Sequence, residues 1–125
     1  MLAPPARAGA LLALLLPAAA LGQPAERRPG AERSVVVQLA YTLGEAHALH
    51  RVCAGPNDAT WYSRMQRLEA EEATDDASRR QLIEAFNAGY AFRQSQFPVC
   101  SRRSRGAEQA VSAHGAALAS RLASP

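Results

Sequence analysis

The sequence predicts an all-α fold, a small up-down bundle of about four helices with a short second helix, stapled by one disulfide. Three observations carry this reading. Apolar residues recur at spacings of three and four through four segments, no segment sustains the alternation a half-buried strand needs, and glycine or proline separates the segments after a few residues. Val35-Val36-Val37 is too short, and too close to a strong helical pattern, to stand as a strand.

Residues 1–22 read as a cleaved secretory signal peptide. Arg7 supplies a positive charge, Ala8 to Leu16 and the Pro17-to-Leu21 step form a short apolar run, and Ala20-Leu21-Gly22 offers small residues for cleavage after Gly22. A retained membrane anchor needs roughly 20 apolar residues, more than the run from Ala8 to Leu21 provides, and Pro17 breaks that run. A lipid anchor needs a cysteine at the cleavage point, and the first cysteine is Cys53. The expectation is therefore a periplasmic or secreted protein with no membrane span after cleavage.

Residues 23–33 carry two prolines, a glycine and five charges with nothing to bury, and read as a disordered leader. The helical domain then occupies 34–125. Ser34 is placed to cap a first helix running to about Cys53, with Val35, Leu39, Leu43, Ala46, His50 and Cys53 on one stripe. Gly55-Pro56 ends it. Asn57 or Asp58 caps a short second helix whose inward residues are Trp61, Met65 and Leu68, ending near Glu72. Thr74 caps a third, with Asp75 and Asp76 complementing its dipole and Leu82, Ile83, Phe86, Asn87 and Tyr90 facing inward, extended by Phe97 until Pro98 stops it. The last helix begins soon after Ser101, with Ala107, Ala110, Val111, His114, Ala117, Leu118 and Leu122 as its apolar side.

Charge excludes one class of partner. All 14 basic residues are arginine against 11 acids, a formal net charge of +3, too balanced and too scattered for a nucleic-acid binder. Arg102, Arg103 and Arg105 form the densest basic patch, and the acids from Glu69 to Asp76 lack the ordered spacing of a calcium loop.

An exported small domain with two cysteines usually oxidises them, and an up-down topology brings the end of the first helix and the end of the third to one pole, pairing Cys53 with Cys100. Closing that loop is worth about 4 kcal/mol in the chain-entropy model. Two alternatives stay open: free or intermolecular thiols, and a metal held by His47-x-x-His50-x-x-Cys53, which steps by three along a helix but offers fewer than the four ligands of a structural zinc.

The segments Leu43-Gly44-Glu45-Ala46-His47-Ala48-Leu49-His50-Arg51-Val52-Cys53 (LGxxHxLxRxC-like), Trp61 to Met65 (WxxxM) and Phe86 to Tyr90 (FNxGY), with Cys100, resemble an uncharacterised family of small exported alphaproteobacterial proteins catalogued as a domain of unknown function. The resemblance covers most of 34–101. It implies export and paired cysteines and carries no activity.

Gly44 and Gly89 fall inside helices, where each costs about 1 kcal/mol relative to alanine, so a close approach between the first and third helices is expected there. Asn87 on an inward stripe needs polar partners, with His47, His50 and the Tyr90 hydroxyl as candidates. Together with Trp61 these are expected to form a polar cluster or pocket. No nucleophile has an assignable base, no paired carboxylates are evident, and no cofactor motif is present. The leading expectation is a non-catalytic module that binds a protein partner in the periplasm or envelope, or stabilises an envelope assembly as a structural component. The rivals are a metal- or small-ligand-binding protein using His47, His50 and His114, and an enzyme using Glu45, His47 and Arg51.

Overall fold

A computed structural model describes residues 2–4 and 28–124. The expected signal peptide, apart from residues 2–4, and residues 23–27 of the expected leader lie outside the described residues. Four helices follow in order: α1 (Gly30–Ala54), α2 (Thr60–Glu72), α3 (Asp76–Gln96) and α4 (Arg102–Ala123). No strand occurs among the described residues, so the all-α bundle with a short second helix is the observed architecture.

The helix ends follow local chemistry, with three departures from expectation. α1 starts at Gly30 rather than after a Ser34 cap, so the last residues of the expected leader are helical. Proline at the N-cap supplies a fixed φ of −56°, and tertiary contacts hold this entry. Arg28 makes a bidentate pair with the buried Glu72 carboxylate at 2.9 and 3.0 Å, and Arg33 donates to the Glu72 carbonyl at 2.8 Å. The cap of α3 is Asp75, not Thr74: its carboxylate accepts the Ser78 N–H at 2.7 Å while the Ser78 hydroxyl accepts the Asp75 N–H, a reciprocal box. Those bonds hold the Asp75 carboxyl below its usual range. At α2 the N-cap position is Ala59 rather than Asn57 or Asp58, although the Asp58 carboxylate still accepts the Thr60 N–H at 3.0 Å from one residue earlier. Gly55 closes α1 at φ 103°, and Ser101 caps α4 through the same reciprocal box with Ser104.

α1 is the hub. It packs against α2, α3 and α4, while α2 and α3 barely touch and α4 meets neither of them. Accordingly every residue from Thr42 to Leu49 is buried, not one stripe of them, because a helix enclosed by three others has no solvent face over its middle turns. Val36, Ala40, Leu49 and Leu82 are essentially wholly enclosed, and Trp61, Met65, Leu68, Phe86, Val111 and Leu118 complete the core.

The outer helices bury narrower faces than their sequences suggest. On α3 only Leu82, Phe86 and Gly89 are buried, while Ile83 is 39% exposed and Asn87 faces solvent. On α4 Ala110, His114 and Ala117 are exposed beside the buried Val111 and Leu118. A helix with one main neighbour buries a single 3–4-spaced seam, and the next residue lies 100° around the axis from it. At the crossing of α1 and α3 a methyl on Gly44 would collide with the Phe86 carbonyl, and one on Gly89 with the Tyr41 carbonyl. The two backbones meet there in direct contact, as the paired glycines imply.

Candidate functional site

At one pole Cys53 and Cys100 are disulfide-bonded with their Cα atoms 4.8 Å apart. The buried Ser104 hydroxyl lies 3.6 Å from the Cys53 sulfur. One turn earlier on α1, His50 sits between two carboxylates, its Nδ1 3.0 Å from Glu108 of α4 and its Nε2 3.4 Å from Asp58 in the α1–α2 connection. Asp58 also accepts the Thr60 N–H, the main cause holding its carboxyl below the usual range. His50 thus pins three segments together beside the disulfide.

His47 faces elsewhere. Its ring lies 5.4 Å from that of Tyr90, 5.7 Å from Phe86 and 6.0 Å from Tyr62, and its Nδ1 is buried with no hydrogen-bond partner among the described residues. Burial is the main cause lowering its pKa below the ordinary 6.5, followed by the positive charge of Arg51. The imidazole is therefore held neutral at neutral pH. Cys53 is committed to sulfur, His47 to aromatic rings and His50 to carboxylates, so the His47-His50-Cys53 ligand set is not assembled. Among the described residues no group of three or more His, Cys, Asp or Glu is arranged to hold a metal.

Glu45, though buried, does not serve His47, since residues two apart on a helix point to different sides. Its carboxylate takes a 2.7 Å hydrogen bond from Arg93 Nε of α3. Arg51 lies one turn after His47 and donates from Nη1 to the Tyr90 hydroxyl at 3.0 Å and from Nη2 to the Pro56 carbonyl at 2.7 Å. Its Nε is buried with no partner among the described residues, a shortfall that costs about 1–3 kcal/mol for a polar group out of water. Glu45 is thus turned to Arg93, whereas His47 and Arg51 share Tyr90 as a neighbour.

Trp61 lies on another side of α1, sandwiched between the core and the Arg64 guanidinium 4.4 Å over its ring. It flanks a groove of about 360 Å³ between α2 and α4, floored by Leu39 and Leu43 of α1. Ser112, Gly115, Ala116 and Ala119 make the α4 wall, and Arg64, Arg67 and Glu71 stand along the α2 wall. The groove exists because α2 and α4 both pack on α1 without reaching each other.

Comparison with protein families matches residues 32–125 to a family described as protein of unknown function (DUF2385). The chain belongs to this family. The DUF2385 match takes in both cysteines, the His47 and Arg51 turn of α1, and the groove walls. No curated protein and no solved structure matches the chain.

The five residues of the expected polar cluster are thus distributed over four places. The fold brings His47 and Tyr90 together, sets His50 against α4, puts Trp61 on the groove and leaves Asn87 in solvent. What the sequence reading missed is Arg51 as the partner of Tyr90, Phe86 and Tyr62 as neighbours of His47, and the acids around His50. His47 and Arg51 at i, i+4, opposite Phe86 and Tyr90 at i, i+4, is a pattern that could have suggested the first two. Nothing local points to Glu108 or Arg93.

Proposed function

We propose that this protein is an exported helical module of the periplasm or cell envelope that works by binding a partner protein rather than by catalysis. The observation that carries this is the groove between α2 and α4. Its floor is aliphatic, its α4 wall consists of small side chains that let another backbone come close, and its α2 wall presents Arg64 and Arg67 against a single acid, Glu71. The stretch from Trp61 to Glu71 is about 15 Å long, roughly three helical turns. The occupant that fits is a short amphipathic helix with an apolar face and acidic flanks. Export is supported by the apolar N-terminal run and by the disulfide, which persists in oxidising compartments.

A photo-activatable crosslinker at Ala116 tests the binding face in the living cell. The expected result is one discrete protein adduct whose joined peptide is an acidic helical segment, lost when Gly115→Leu fills the groove and absent with the crosslinker at the exposed Ala88 of α3. Equal labelling from both positions, or none from Ala116, overturns the reading. Fractionation tests export: the processed, oxidised form belongs outside the cytoplasm, and a full-length, thiol-bearing cytoplasmic protein would remove that part.

A further inference from the structure

A second cavity, on the opposite side of α1, has a different character. It lies where the C-terminal turns of α1 and α3 meet, and its volume is about 230 Å³. Ala48, Val52, Phe97 and Pro98 give it an apolar wall, and the polar groups that reach it are Arg51, Tyr90 and Gln94. No acid lines it, and no carboxylate among the described residues pairs with Arg51. A half-buried guanidinium without a counter-charge, each of whose Nη groups spends one N–H on Tyr90 or Pro56 and keeps a second, is an anion acceptor in waiting.

We infer that this pocket binds a small carboxylate, its oxygens taken by Arg51 and the Tyr90 hydroxyl and its short apolar body held against Val52, Phe97 and Pro98. The Tyr90 oxygen accepts from Arg51 Nη1 at 3.0 Å, which leaves the phenolic hydrogen free to be donated to an anion beside the guanidinium. Planar, forked donors favour a carboxylate, and the apolar wall excludes strongly hydrated inorganic anions by offering them nothing to replace their water. A cavity of about 150 Å³ takes a benzene ring, and drug-sized sites begin near roughly 300 Å³, so this pocket has room for a carboxylate bearing one ring or a short chain. The inference is independent of the groove between α2 and α4.

The disulfide-bonded protein, isotope-labelled for NMR, is titrated with sodium benzoate. Saturable shifts are expected at the amides of Ala48, Val52 and Tyr90, with benzyl alcohol at least about tenfold weaker. Gln94→Glu changes an exposed side chain at the rim, sets a negative charge beside the ligand, and weakens benzoate at least about tenfold while the remaining spectrum stays in place. Tyr90→Phe keeps the ring and weakens binding severalfold. A short peptide with a free C-terminus, compared with its amide and with butanoate, tells a chain-end carboxylate from a free acid as the source. Benzyl alcohol binding as well as benzoate, an unchanged affinity in Gln94→Glu, no saturation in the millimolar range, or shifts confined to Arg102 and Arg103 would each overturn the proposal.

Discussion

Gly44 and Gly89 hold the α1 and α3 backbones in mutual contact, each occupying the spot where a side chain would strike a carbonyl of the other helix. The obstruction is main chain on both sides, so no rotamer change relieves it, and a methyl must push the helices apart. Gly44→Ala or Gly89→Ala gains about 1 kcal/mol of helix propensity and loses more to overpacking, for a net destabilisation of about 2 kcal/mol. Gly106→Ala, with nothing within 4 Å of its added methyl, keeps the propensity gain and stabilises by up to ~1 kcal/mol. Thermal melts of the three variants check the contrast, and a stable Gly89→Ala protein would contradict the close crossing.

The Cys53–Cys100 bond joins residues 47 apart in the chain. Its removal by Cys53→Ala with Cys100→Ala lowers stability by about 4 kcal/mol in the chain-entropy model. Urea unfolding with and without reductant measures this, and identical midpoints would show that the bond does not constrain the unfolded chain.

His47 makes stability pH-dependent with a defined sign. Its folded-state pKa lies below the ordinary 6.5, so the unfolded chain takes up a proton first as pH falls. The contribution is complete above about pH 6.5 and is lost as pH falls through the folded-state value. His47→Phe removes the unpartnered Nδ1 and keeps an aromatic ring beside Tyr90. It stabilises at neutral pH by ~1 kcal/mol and removes this acid sensitivity. Chemical denaturation of both proteins across pH 5 to 7.5 checks the prediction; equal slopes would disprove it.

Among the described residues the buried Glu45 carboxylate depends on Arg93 for its only hydrogen bond. Arg93→Met leaves a carboxylate largely removed from water, at a cost of about 2–3 kcal/mol. Glu45→Gln in the same chain recovers most of it. A double-mutant cycle by urea unfolding reads the coupling, which should exceed the value near zero expected of an exposed pair such as Arg79–Glu69.

Several features were legible from residue order alone. Gly55-Pro56 and Pro98 end helices because of what glycine and proline do to a backbone, Ser101 starts one, and the cysteines pair because two chain reversals return them to one pole. The crossing at Gly44 and Gly89 was legible for a related reason: two costly glycines in facing helices ask for a compensating contact. These are local rules, or local rules combined with a simple topology.

Tertiary structure decided what each stripe touches. Periodicity arranges side chains around an axis but does not count the neighbours of that axis, so α1 reads as one-sided in sequence yet is enclosed by three helices, whereas Asn87 reads as inward on a helix that buries a narrower seam. The same holds for His50 with Glu108, Glu45 with Arg93 and Arg51 with Tyr90, whose partners lie 58, 48 and 39 residues away. Contacts at that range leave no local pattern, because they arise only when separate helices have chosen their faces and fixed their depth against one hub.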